Sequence, residues 1–144
     1  MSRPLPLFVD TGGLYATFDE DDVNHEQANA VFDGMEEGEY GPVFTSRYVL
    51  SEFATLMLYQ IGYTAAVEAL STVRQSKTFN ILPVGKQTFD AACEEFERFD
   101  DQQISFVDHT SAVLAREHEI EHMFAFDSDF STMGFERVPV DTES

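Results

Sequence analysis

Leu7-Phe8-Val9-Asp10-Thr11-Gly12-Gly13 is the stretch on which the reading of this chain turns. The short apolar run is of strand type, and Thr11-Gly12-Gly13 ends it with turn residues. A carboxylate placed directly after a buried strand lies at the strand's carboxyl edge, where open α/β sheets gather their ligands. The competing reading of Asp10 is a turn-forming Asp ahead of Thr-Gly-Gly, and this position alone does not separate the two.

The same alternation of apolar strand and periodic helix recurs outward from this segment. Leu14 to Phe18 reads as a short helix, and Asn24 to Gln27 opens a second whose inner stripe is Ala28, Val31, Phe32 and Met35. Gly38 to Pro42 breaks it. Val43-Phe44 reads as a strand, and Thr45 or Ser46 caps a long helix through Gln60 that stops at Gly62. Another helix is expected over Thr64 to Arg74, a strand over Phe79 to Val84, a helix over Thr88 to Phe99, and a helix capped by Ser105 that runs to about His118. Met123 to Phe126 reads as a strand ending at Asp127, and Phe135 to Val140 as a last extended segment. This order predicts a three-layer α/β/α sandwich on a mainly parallel sheet, formed by a single domain over residues 1–144.

Composition fits that reading. With 43% hydrophobic residues and 14 Phe in 144 residues, the chain has ample material for one core. Its 27 Asp plus Glu against 8 Lys plus Arg give a net charge of -19, yet the dense apolar periodicity argues against an acidic disordered chain. The excess acid is therefore expected on a folded surface adapted to a salt-rich (halophilic) cytoplasm, where the Debye length falls to about 3 Å at 1 M and self-repulsion is screened. The melting temperature should accordingly rise between low and molar KCl; a flat response in a thermal melt would end this reading. The lone cysteine, Cys93, excludes an intramolecular disulfide and a Cys-rich zinc site. Leu5 to Val9, interrupted by Pro6 and closed by Asp10, is too short for a signal or membrane-spanning segment, so a cytoplasmic location is expected.

Four carboxylates fall where apolar elements turn inward. Besides Asp10, Glu52 interrupts the helical face formed by Val49, Phe53 and Leu56, unless it is an edge residue paired with Arg47 or Arg74. Asp108 is the third helical residue after Ser105, which also fits a Ser-x-x-acid cap, and the small residues Ser111, Ala112 and Ala115 leave room on its face. Asp127 follows the last apolar strand and is the choice for the cluster, while Asp129 reads as a cap for the turn from Phe130 to Gly134 or as a secondary site residue. Burying several carboxylates together costs several kcal/mol each unless something compensates, and a hard divalent cation would satisfy all four jointly. Oxygen-only ligands select Mg²⁺ or Mn²⁺ over Zn²⁺, and such ions activate water and stabilise charge at a phosphodiester. His25, His109, His118 and His122 show no zinc-binding spacing, and surface or capping roles are expected for them.

The chain resembles the PIN-domain ribonucleases and, among them, the small VapC-type toxins of toxin–antitoxin pairs. The likeness rests on the order and spacing of Phe8-Val9-Asp10-Thr11, Asp22 through Ala28, Thr45 through Glu52, Ser105-Phe106-Val107-Asp108 and Phe126-Asp127-Ser128-Asp129-Phe130. The resemblance implies a five-stranded parallel sheet, Mg²⁺ or Mn²⁺ held by Asp10, Glu52, Asp108 and Asp127, and endonucleolytic cleavage of RNA by metal-activated water. It also implies a small antitoxin partner over the acidic cleft and a homodimer through the apolar surface of Leu56 to Tyr59 and Tyr63 to Leu70. Gly12, Ala125 and His109 stand where the family often has a hydroxyl residue, a Thr and a small apolar residue.

Thr11 offers a further hydroxyl at this site, and Arg47 and Arg116 are the expected phosphate contacts, since a net charge of -19 repels a polyanion and local cations must compensate. Three rival readings remain at this level. A non-toxin RNA-processing nuclease and a non-catalytic PIN-like binding module share the fold. An aspartic protease would use Asp10-Thr11-Gly12, but such enzymes are all-β and this chain carries long helical stripes.

Overall fold

The computed structural model describes residues 4–100 and 102–142. Strands β1 (Leu7–Val9), β2 (Val43–Ser46), β3 (Phe79–Leu82), β4 (His122–Phe124) and β5 (Glu136–Val138) alternate with helices α1 (Thr11–Phe18), α2 (His25–Glu36), α3 (Arg47–Gln60), α4 (Tyr63–Gln75), α5 (Lys86–Arg98), α6 (Phe106–Glu117) and α7 (Asp129–Thr132). All strand pairs are parallel, in the order β3-β2-β1-β4-β5. The α/β/α expectation is met, and an all-β protease is excluded.

This strand order positions the site. The chain winds outward from β1 through β2 to β3, then returns to the other side of β1 for β4 and β5. Winding therefore reverses between β1 and β4, and the crevice beyond their carboxyl ends is where such sheets bind ligands. Leu7, Phe8 and Val9 have no exposed surface, nor do Met123 and Phe124, as expected for central parallel strands covered on both faces. Phe8, Phe53, Phe124 and Phe130 are fully buried, each worth about 2–3 kcal/mol of apolar transfer.

Several element boundaries differ from the sequence reading. Thr11-Gly12-Gly13 is helical rather than a turn: Asp10 is the N-cap of α1, and the helix packs so close to β4 that a Cβ on Gly13 would lie 2.6 Å from the Phe124 carbonyl oxygen. Glycine there allows close approach, not a reversal. Strand β3 stops at Leu82 because Pro83 has no N–H to donate. Strand β4 ends at Phe124, not Phe126; beyond it the Phe126 carbonyl accepts from the Arg137 guanidinium (3.0 Å) instead of a neighbouring strand. Strand β5 is confined to Glu136–Val138, and α5 begins at Lys86, before Thr88. Gly62, at φ +141°, separates α3 from α4. Met57 is 1% exposed and belongs to the core rather than to the expected dimer face.

Candidate metal centre

Among the described residues only Asp10, Glu95 and Asp108 have buried carboxylates, so the acidic excess is a surface property with three exceptions. Two of the three converge on the crevice beyond β1 and β4.

Asp10 is fixed from both sides. Its N–H donates to the Phe124 carbonyl (3.1 Å), and the preceding Val9 carbonyl accepts from the buried Thr45 hydroxyl (2.9 Å). One carboxylate oxygen, Oδ2, accepts from the Gly12 N–H at 3.2 Å, while Oδ1 is buried with no partner. Burial pushes the Asp10 carboxyl well above the ordinary carboxylate range; the charge of Asp108 and then that of Glu52 add to the effect, while the N–H groups of Gly12 and Thr11 oppose it.

Asp108 arrives from the other side, in the first turn of α6. Ser105 caps that helix, its hydroxyl accepting from the Asp108 N–H at 3.1 Å, so the predicted cap and the inward carboxylate are both present. Burial, then the charges of Asp127 and Glu52, raise the Asp108 carboxyl to about 7, with Ser105 pulling the other way. Glu52 is half-buried on α3 and acts on both aspartates; among the described residues neither Arg47 nor Arg74 pairs with it.

After β4, Asp127 keeps its expected place in the cluster and also takes the capping role expected of Asp129. Asp127 Oδ1 accepts from the Asp129 N–H (2.9 Å), so Asp127 caps the turn, and Asp129 joins the cluster alongside it. Carboxylate oxygens of Asp108, Asp127 and Asp129 all lie within 4.8 Å of one another. That spread is close to the distance of about 4.2 Å across an ion with Mg–O bonds of about 2.1 Å. A hard cation fits the Asp108–Asp127–Asp129 group on two grounds: the donors are all oxygen, and their spacing is near the span of one ion. Asp10 and Glu52 lie outside that group and act on it through their charge, and the buried, partnerless Asp10 Oδ1 is a further oxygen beside it. The hydroxyls of Thr11, which follows Asp10, and Ser111, one turn beyond Asp108, are also buried without protein partners.

His109 and Arg116 depart from expectation. His109 is 1% exposed, not a surface residue; its Nδ1 lies 3.2 Å from Glu95 Oε1, and its ring packs against Phe96 and Phe99. Arg116 is committed elsewhere than to a substrate phosphate: it donates to Glu95 Oε2 (2.7 Å) and to the Met133 carbonyl (3.0 Å). The third buried carboxylate therefore sits between the His109 imidazole and the Arg116 guanidinium and ties α5 to α6, while Arg116 ties α6 to the end of α7.

Residues 7–136 match the profile of the PIN domain. The chain belongs to the PIN-domain family. Within it, the chain is 34% identical over 132 residues to the 23S rRNA-specific endonuclease VapC20 of Mycobacterium tuberculosis strain H37Rv, covering 92% of this chain and 97% of the relative. The crystal structure of Mycobacterium tuberculosis VapC20, described as a sarcin-ricin loop cleaving toxin, matches with a TM-score of 0.82 at 35% identity over 90% of this chain and 95% of that one. FitAcB from Neisseria gonorrhoeae shares the PIN fold, with a TM-score of 0.65 at 16% identity over 91% of this chain and 95% of that one. So does VapBC2 from Rickettsia felis bound to a DNA fragment from their promoter, with a TM-score of 0.67 at 12% identity over 92% and 98%. The VapC-type resemblance read from the sequence therefore stands.

Asp129, a secondary candidate in the sequence, stands in the acidic group with Asp108 and Asp127. Sequence reasoning missed two features near the site. Ser111, one turn beyond Asp108, was read only as a small residue. The buried Glu95–His109–Arg116 set gave no local signal, because Glu95 lies on a helix rich in other acids.

Proposed function

We propose that this PIN-family chain is a divalent-metal-dependent endoribonuclease of the VapC type, acting in the cytoplasm as the toxin of a toxin–antitoxin pair. The observation that carries this reading is the meeting of Asp10, Glu52, Asp108, Asp127 and Asp129, from four separate segments, at the carboxyl ends of β1 and β4. Its support from kinship is the match to VapC20 over nearly the whole chain.

Those five acids are the residues that would hold Mg²⁺ or Mn²⁺. Bound there, the ion supplies a lowered water pKa and positive charge at a scissile phosphate. The chain supplies rigidity: Asp10 is anchored to β4 through its own N–H, Asp108 is set by the α6 cap, and Asp127 and Asp129 are locked in one turn. Thr11, whose buried hydroxyl has no protein partner, is our candidate for orienting a ligand beside Asp10.

VapC20 is described as cleaving the sarcin-ricin loop of 23S rRNA, and we propose structured ribosomal RNA of that kind as the substrate here. Purified protein with Mn²⁺ should cut a synthetic sarcin–ricin-loop hairpin, and chelation with EDTA should stop it. Absence of cleavage of this and of other structured or single-stranded RNAs would overturn the reading.

The cleft is strongly acidic, which suits a small antitoxin that inserts a cationic side chain in place of the metal. Leu58, Tyr59, Tyr63 and Val67 are exposed along α3 and α4, which supports a homodimer. Light scattering at high salt should give twice the chain mass; a monomer alone would remove the dimer. No helix among the described residues is long and apolar enough to cross a membrane.

A further inference from the structure

With 27 acidic side chains against 8 basic ones, a cation on this surface is expected to find a carboxylate. Lys86 is bonded to Asp90, Arg116 to Glu95 and Arg137 to Asp141, and Arg98 lies over the Phe99 ring. Lys77, Arg47 and Arg74 are exceptions: all three are exposed, and among the described residues none of the three side chains makes an ion pair or a hydrogen bond; the last two are arginines.

Both arginines line the same groove, of about 570 Å³, together with Leu50, Ser51, Ala54, Leu70 and Ile81. Arg47 is the first residue of α3, a 14-residue helix whose positive end reinforces its charge. The groove adjoins the carboxylate crevice in two ways. Phe44 pairs with Phe8 in the sheet, so Ser46 and Asp10, each two residues further on, stand level at the same edge, and Arg47 follows directly. Ser51 also lines a second groove that contains Glu52, so the two grooves meet along α3.

We propose that the Arg47–Arg74 groove is the backbone-docking site for the RNA substrate, holding phosphates that flank the scissile one. The proposal rests on the nuclease reading above and deepens it. A chain of net charge -19 has no broad basic face to attract a polyanion, so attraction must be local. An unpaired pair of fork-shaped guanidinium groups in one groove is the arrangement suited to phosphate oxygens. Of the two phosphate contacts expected from the sequence it keeps Arg47 and puts Arg74 in the place of Arg116, which is held by Glu95.

The test uses the full chain and the sarcin–ricin-loop hairpin RNA. In an Asp10→Asn background, which permits binding without cleavage, Arg47→Ala/Arg74→Ala should weaken RNA affinity at least tenfold at low salt. It should also reduce the slope of log affinity against log salt by about 1.5, two phosphate contacts at roughly 0.7–0.9 each. In the cleaving protein the same pair should raise KM with kcat within about twofold, and Arg47→Lys/Arg74→Lys should restore most of the salt slope. Both side chains are exposed, so folding should survive; if the double variant misfolds, Arg74→Ala alone should lower the slope by about half as much. Unchanged affinity and slope in a protein that still cleaves would overturn the groove and leave the nuclease reading intact. So would loss of self-association or antitoxin binding with RNA affinity unchanged. A wild-type protein that neither cuts nor binds RNA would sink both.

Discussion

Asp10→Asn should abolish RNA cleavage and at the same time raise the melting temperature of the metal-free protein. The two effects share one cause. Asp10 is 4% exposed, one of its oxygens has no partner, and it faces the charges of Asp108 and Glu52. Without a cation this is a buried, repelled carboxylate, and neutralising it removes the repulsion. The amide keeps the acceptor for the Gly12 N–H, so the α1 cap survives. A gain of about 1–2 kcal/mol is expected, which corresponds to roughly 3–8 °C for a chain of this size. Cleavage should fall by roughly 10³-fold, about 4 kcal/mol of lost transition-state stabilisation, because the carboxylate that would hold the ion is gone. Thermal melts and cleavage assays on one preparation test both halves. Equal cleavage by the variant would remove Asp10 from the site, and a destabilised variant would show that its carboxylate is satisfied by something other than a cation.

Metal-free protein should also be more stable at pH 5 than at pH 8, and saturating Mn²⁺ should erase or reverse that difference. Asp108 titrates near 7 in the folded chain, raised by burial and by the charges of Asp127 and Glu52, against an ordinary value of 3.8. A carboxyl whose folded value is raised binds more protons in the native state than in the unfolded one between those limits. Its contribution to stability is full below about 4 and is lost as pH rises through about 7. Asp10 shifts in the same direction and adds to the effect. The Asp108 part is on the order of 2–4 kcal/mol at most, or up to roughly 10 °C in the melt. Surface self-repulsion from a net charge of -19 has the same sign, so the measurement belongs in molar KCl, where exposed charges are screened and buried ones are not. There Asp108→Asn should flatten the pH dependence and the exposed Glu97→Gln should leave it unchanged. A profile unaltered by Asp108→Asn would show that the acids lie too far apart to interact. Divalent ions bind only the ionised carboxylates, so their stabilisation should grow from pH 5 to pH 8.

Particular residues show why some of this was legible in the sequence and some was not. The apolar run Leu7–Val9 and the capped, periodic stretch Arg47–Gln60 declare their structures locally, because burial and capping leave marks within a few residues. Thr11-Gly12-Gly13 misleads, since glycine serves a turn and a close packing contact equally well, and only the nearness of the Phe124 carbonyl tells which. The cap expected of Asp129 is made by Asp127, because two carboxylates two residues apart have identical local chemistry and which one caps the turn depends on how the chain leaves β4. Arg116 looked available for phosphate because its partner Glu95 lies 21 residues away, on another helix.

The sequence by itself determined the parallel α/β class, the PIN-domain kinship and the acidic excess, and it singled out Asp10, Glu52, Asp108 and Asp127 as candidates, because periodicity, capping patterns and the order of motifs are properties of neighbours along the chain. Only the tertiary structure decided that winding reverses between β1 and β4, that Asp129 joins Asp108 and Asp127, that Glu95 is sealed between His109 and Arg116, and that Arg47 and Arg74 share a groove. Charge interactions act through space without regard to sequence separation, so which acids repel one another and which cations stay unpaired is settled only when distant segments are packed together.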